Sequence, residues 1–264
     1  MSKNSSNLPK TAVAPSRRKR SLRDMLSYGV GLPLWVATSF IGAQIVAVLV
    51  LKVVESLGVT LPQTDDPVFN TVLAAAVYTL TLLVVVGVPY VLRRRVTTKA
   101  DLGLTRLVSW LDIILTPAAI VIYFVLSGLL VYASSQLFPG LDLNQAQDVG
   151  FDNLTDRSQY ILAFVTLVVV APVAEEVLFR GYLFGKLKKH VPLVVAMLLT
   201  SALFGAAHGQ WNVALDTFAL SMVLCSLREV TGSIWAGVLL HMSKNGIAFY
   251  FLFINPTLLH TLGG

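Results

Sequence analysis

The 264-residue sequence predicts an all-α fold, a polytopic transmembrane helical bundle of about seven to eight helices around a polar cavity near mid-membrane. Composition is the first observation: 55% of residues are hydrophobic and 13% charged, against about a quarter charged in soluble domains. The second is the set of uncharged runs at 25–51, 67–92, 113–141, 158–174 and 190–215. They reach or approach the roughly 20 residues that cross about 30 Å of hydrocarbon as helix. The third is the lack of any alternating ten-residue pattern, which excludes a transmembrane β-barrel.

The elements follow in order. Residues 1–24 hold seven Lys or Arg among breakers and are expected to form a disordered basic cytoplasmic tail. A first helix is expected over 29–54 and a second over 68–92, stopping at Arg93. Residues 97–112 mix charge with Leu102, Leu104, Leu107, Val108 and Trp110, a pattern suited to the membrane interface. A third helix spans 113–137 despite Pro117, and Phe138-Pro139-Gly140 turns it into a long acidic loop. These segments, 25–157, read as accessory transmembrane helices with an interfacial segment. A fourth helix covers 158–185, a fifth lies within 191–208, a sixth covers about 213–228 and a seventh about 232–254, leaving 255–264 as a short C-terminal element.

The net charge of +6 does not indicate nucleic-acid binding, because the basic residues cluster between apolar runs instead of on one polar face. Clusters at 17–20, 93–106 and 186–189 alternate with the acidic loops around Asp65 and Asp142, which fits a cytoplasmic N-terminus and contact with anionic lipid. Cys225 is the single cysteine, so neither an intramolecular disulfide nor a multi-cysteine metal cage is open to the chain.

From Ser158 onward, ionisable residues appear at hydrocarbon depth, where they are costly unless they face a polar interior. Glu176 has Arg180 one turn later on its own face and is expected to pair with it. Glu175, about 100° away on a regular helix, is left without a local cation and desolvated, the setting of a useful general base. His208 ends the small-residue stretch SALFGAAH, and His241 and Asn245 are spaced i,i+4, so they share a face. If the fifth helix entered the membrane at Val191, His208 would lie about 27 Å deep, past Glu175. The fourth helix is therefore expected to extend beyond the lipid surface and the buried part of the fifth to start near Met197 after an interfacial segment, with Gly209-Gln210-Trp211-Asn212 turning inside the protein along a water-filled cavity.

One carboxylate and two imidazoles allow two kinds of chemistry. Glu175, His208 and His241 could hold one divalent metal such as Zn2+, or Glu175 could activate a metal-free water while the histidines and Asn245 steady an oxyanion. Phe179, Phe204 and Asp216 are further candidates to border a substrate cavity, Asp216 more as a structural residue, and Lys244 is expected to snorkel or pair. His190, His260, Tyr182 and Cys225 are assigned no chemical role.

Three motifs give the resemblance. Glu175-Glu176-Val177-Leu178-Phe179-Arg180 resembles the EExxxR motif of the CPBP family of intramembrane proteases, which groups CAAX-processing endoproteases with bacterial, Abi-like bacteriocin-processing and self-immunity proteins. Phe204 and His208 match its FxxxH motif, and His241 and Asn245 its HxxxN motif; the match covers about 158–250. The resemblance implies a catalytic helical core over 158–254 and an intramembrane endopeptidase, often described as a metalloprotease. Glu175 is its water-activating residue, Glu176 and Arg180 support it, and His208, His241 and Asn245 are partners. The implied substrate is a membrane-associated peptide or protein tail, lipidated or unmodified, and the implied setting is the plasma membrane of a prokaryote. The competing readings are a non-catalytic immunity or scaffolding protein on the same fold and a proton-coupled transporter; against the transporter, no paired halves with matching broken helices are visible.

Overall fold

A computed structural model describes residues 21–62, 66–140, 142, 151 and 154–258. The expected tail over 1–20, most of the acidic loop and the last six residues lie outside the described set. The described residues form seven helices with a further helical turn at 256–258 and no strand.

α1 (Leu22–Ser56) starts earlier than the apolar run suggests, because Ser21 caps it by accepting a hydrogen bond from the Asp24 backbone N–H at 3.0 Å. α2 (Pro67–Arg93) is capped by Asp66 and ends at Arg94, which takes a left-handed conformation (φ 52°). α3 (Trp110–Leu137) opens on a Ser109/Asp112 capping box, and Arg106 pairs with the fully buried Asp112. α4 (Arg157–His190) is about 50 Å long by the rise per residue, longer than the hydrocarbon core. α5 (Leu193–Ala206), α6 (Trp211–Thr231) and α7 (Trp235–Ile254) complete the bundle. α1 to α4 and α7 are long and apolar enough to cross a membrane; α5 is shorter, and α6 carries Asp216, Arg228 and Glu229.

α4 runs on to His190, and α5 starts at Leu193, directly after the corner at Val191-Pro192. Glu175 lies 15 residues before His190 and His208 lies 15 after Leu193, so both sit about 22 Å from the same corner. One expectation needs correction: the turn after α5 is not enclosed by the protein, since Gly209 (φ 74°) and Trp211 are exposed and Gln210 and Asn212 half-buried. One cluster of buried apolar residues runs from Val36, Val85 and Tyr123 to Phe184, Leu220 and Leu240.

Residues 97–109 form an irregular loop seated on the end of the bundle that carries the basic clusters. Lys186 Nζ donates to Thr97 Oγ1 at 3.0 Å, and Lys189 pairs with Asp101 at 2.6 Å. Trp235 Nε1 donates to the Arg106 carbonyl and Ser233 Oγ to that of Gly103. The loop lies so close to α4 that a Cβ at Gly181 would meet the Leu102 carbonyl at 2.9 Å, and one at Gly185 the Asp101 carbonyl at 2.7 Å. The outward Leu107 and Trp110 are about 80% exposed, as an interfacial segment requires.

Candidate active site

α4 is not uniformly α-helical. It widens to π-helix over Val165–Val170 and again over Glu176–Phe184, on either side of Ala171–Glu175. In the first widening the Ala171 N–H bonds the Thr166 carbonyl, an i to i−5 register. In that register the next donor would be residue 172, and its acceptor would be Leu167. Residue 172 is proline and has no N–H, so the Leu167 carbonyl is left open. Asn245 closes it, its Nδ2 donating to that oxygen at 2.8 Å. The amide expected to serve an oxyanion is thus tied to the backbone of α4 and fixes α7 against it.

Glu176 and Arg180 pair as the spacing predicts, at 2.9 Å with both side chains fully buried. The guanidinium also lies over the Phe204 ring, 4.3 Å from its centroid, where the ring face supplies the negative charge that a dry interior otherwise lacks. The Glu176 carboxylate fits only because residue 237 is glycine: a Cβ there would meet Glu176 Oε2 at 2.8 Å.

Both glutamates face the same histidine. His241 Nδ1 faces Glu176 Oε1 at 3.1 Å, and its Nε2 lies 3.7 Å from Glu175 Oε2. A single imidazole therefore stands between adjacent carboxylates. The wider turn of the π-helix reduces the angle between successive side chains, and the two ring nitrogens span what remains.

Glu175 has another neighbour that sequence reasoning missed. Tyr78 on α2 donates its hydroxyl to Glu175 Oε1 at 2.5 Å. Nothing marks Tyr78 in the sequence, where it is one aromatic residue in a long apolar run. A cavity of about 180 Å3 opens beside this pair, lined by Phe40, Tyr78, Glu175, Phe179, Phe204, Ala207 and His208. Phe179 and Phe204 thus border the cavity as expected. His208 Nδ1 lies 2.8 Å from the Phe204 carbonyl; a carbonyl only accepts, so Nδ1 carries the proton and Nε2 is left to act elsewhere.

Asp216 does not line this cavity. It accepts hydrogen bonds from Tyr123 at 2.6 Å and Ser127 at 2.7 Å, and Lys244 Nζ lies 3.3 Å away. That cluster joins α3, α6 and α7, so Lys244 pairs as anticipated and Asp216 is structural. The buried Cys225 is a free thiol.

Among the described residues no three His, Cys, Asp or Glu side chains converge as a metal centre requires. His241 turns one nitrogen to each glutamate, and His208 ties Nδ1 to the backbone. In both rings it is Nδ1 that a carbonyl or carboxylate holds, which leaves Nε2 for the reaction, the pattern such bonds impose on a histidine that binds a metal or acts on a water alike.

Residues 157–247 match the family described as "Type II CAAX prenyl endopeptidase Rce1-like". Related proteins include the "Uncharacterized 24.3 kDa protein" of Escherichia coli, 31% identical over 34% of this chain and 44% of its own length. They also include the "Putative membrane peptidase YdiL" of Bacillus subtilis (strain 168), 29% identical over 32% of this chain and 34% of its own. A third is the "Membrane-embedded CAAX protease MroQ" of Staphylococcus aureus (strain USA300), 24% identical over 33% of this chain and 38% of its own. The chain therefore spans less than half the length of each of these relatives. No solved structure matches. The matched stretch holds α4 to α6 and most of α7, with all three motifs in place, so this part of an integral membrane protein is similar to the Rce1-like CAAX endopeptidases.

Proposed function

We propose that the chain is an intramembrane endopeptidase that hydrolyses a peptide bond in a membrane-associated peptide or protein tail, with Glu175 as general base. The observation that carries this reading is the grouping of Glu175, Tyr78 and His208 at one cavity inside a helical bundle, with His241 beside Glu175. Tyr78 occupies one carboxylate oxygen of Glu175, leaving the other to face a water. Glu175 takes a proton from that water as its oxygen attacks the scissile carbonyl. When the C–N bond breaks, the proton passes to the departing amine, so protons balance over the cycle. His208 lines the same space and is the group placed to steady the oxyanion, which it does by donating from Nε2 when its ring is protonated. Glu176, Arg180 and Asn245 act through position: they hold His241 and the backbone of α4 around Glu175.

The basic clusters put the N-terminus, the 93–106 loop and the 186–190 corner on the cytoplasmic side of a prokaryotic plasma membrane, with substrate entering from that side. The similarity to CAAX prenyl endopeptidases favours a prenylated tail as substrate, and an unmodified peptide is the alternative that the assay below compares with it.

The test is cleavage by purified protein in lipid nanodiscs, comparing farnesylated and unmodified peptides. Glu175→Gln keeps the shape and removes the base; we expect activity to fall by at least about a hundredfold, with the folded state retained by size exclusion and thermal melting. Cleavage at the normal rate by this variant would end the protease reading. Chelation in the same assay separates the side-chain mechanism, for which retained activity is expected, from a zinc-dependent one.

A further inference from the structure

Glu175, Phe179, Tyr182 and Lys186 are spaced i, i+4, i+7 and i+11 and form one stripe of α4. The first two line the small cavity; the last two line a larger one of about 560 Å3, some 16 Å further along, at the basic end of the bundle. This second cavity lies between the start of α1, the end of α2 and α4. Its walls include Tyr28, which stacks on His190 at 3.5 Å, and Trp35. Arg93, Arg95 and Lys186 border it, with Asp24 as the opposing carboxylate. Among the described residues none of these three cations forms an ion pair within 4 Å; Lys186 donates to Thr97 Oγ1 and lies 4.1 Å from the Tyr182 ring centroid, with Asp101 near enough to act on its charge.

Two apolar grooves lead away from it. Trp35 is shared with a groove of about 360 Å3 between α1 and α2, which continues past Ser39, Gly42 and Val46. Val88 and Leu92 are shared with a groove of about 410 Å3 along α2 itself, past Gly87 to Val84, which borders both grooves. From Trp35 to Val46 is about 17 Å, close to the depth of one leaflet. Gly31, Gly42 and Gly87, one in each space, have nothing within 4 Å of where a Cβ would stand, so each leaves an open notch. The grooves offer no partners to a peptide backbone: the Thr38 and Ser39 hydroxyls already donate to carbonyls of their own helix. An acyl chain needs none.

We propose that this branched cavity binds a diacyl phospholipid with an anionic headgroup, the phosphate between Arg93, Arg95 and Lys186 and one acyl chain in each groove. The site is distinct from the Glu175 cavity and stands independently of the protease reading. Charge complementarity selects the headgroup and the leaflet-length grooves select a lipid over a soluble anion.

The experiment is native mass spectrometry of the full-length chain released from detergent. It is titrated with phosphatidylglycerol, with phosphatidylcholine of the same acyl chains, with glycerol 3-phosphate, and with an acidic peptide ending in a free carboxylate. Retention of phosphatidylglycerol well above phosphatidylcholine is expected. Arg95→Gln, an exposed position whose change leaves the fold intact, should weaken phosphatidylglycerol about fivefold and leave phosphatidylcholine unchanged. Gly42→Leu should weaken it severalfold by filling the groove. Equal retention of the two lipids, or no effect of Arg95→Gln, would overturn the proposal. So would glycerol 3-phosphate binding as tightly as the lipid, or the peptide displacing it at equal concentration.

Discussion

The two halves of the bundle meet their surroundings differently. α1, 35 residues long, buries only Gly29, Val36, Ser39 and Ala43, whereas α4 buries every residue from Leu178 to Phe184. Helices that face lipid lose nothing by exposing Leu, Ile and Val, since acyl chains are as apolar as the side chains. Helices that hold Glu176, Arg180 and His241 must be enclosed by protein, because nothing in hydrocarbon satisfies a charge. The difference teaches where chemistry can reside. Yet the lipid-facing half is no mere support, since it supplies Tyr78 to Glu175 and Tyr123 and Ser127 to Asp216.

The comparison can be broken at four points. Arg180→Ala leaves Glu176 in the enclosed half without its cation, with only His241 beside it, and should cost about 3–5 kcal/mol, read as loss of the folded fraction in thermal or denaturant unfolding in detergent. A loss under 1 kcal/mol would mean that water reaches the pair. Tyr78→Phe asks whether the lipid-facing half takes part in the reaction. Removing a hydrogen bond to a charged group should lower kcat by about 10- to 100-fold with the melting temperature nearly unchanged. An unaltered kcat would return α2 to a packing role.

Asn245→Leu keeps volume and uncovers the Leu167 carbonyl beside Pro172, so about 1–3 kcal/mol of stability should go. If kcat falls at full stability instead, the amide serves an oxyanion and not the helix. The smallest effect is expected outside the membrane. The Lys189 ammonium, followed by the Thr98 hydrogen bonds, holds the Asp101 carboxyl well below its ordinary range. A depressed folded value means that the contribution is present above the unfolded value of about 3.9 and fades as pH falls through the folded one. Because Lys189 is largely exposed, Asp101→Asn should cost about 0.5 kcal/mol at pH 7 and nothing further in acid. A cost undiminished at pH 2 would assign the loop's hold to packing.

The sequence by itself determined that the chain is helical and membrane-embedded, because hydropathy and charge are read residue by residue and lipid permits few other folds. It determined the Glu176–Arg180 pair too, since i,i+4 geometry is local and survives the widening of α4. It placed Phe179, Phe204 and His208 at the cavity through motif spacing alone. Tertiary structure alone decided that His241 bridges both glutamates, because that takes α7 packed against α4 with the ring between the two carboxylates. It also decided the depth of His208, which rests on α4 and α5 meeting in a tight corner at Val191-Pro192. And it decided Tyr78: a hydroxyl in an apolar run shows no partner until packing brings a carboxylate 97 positions away within 2.5 Å.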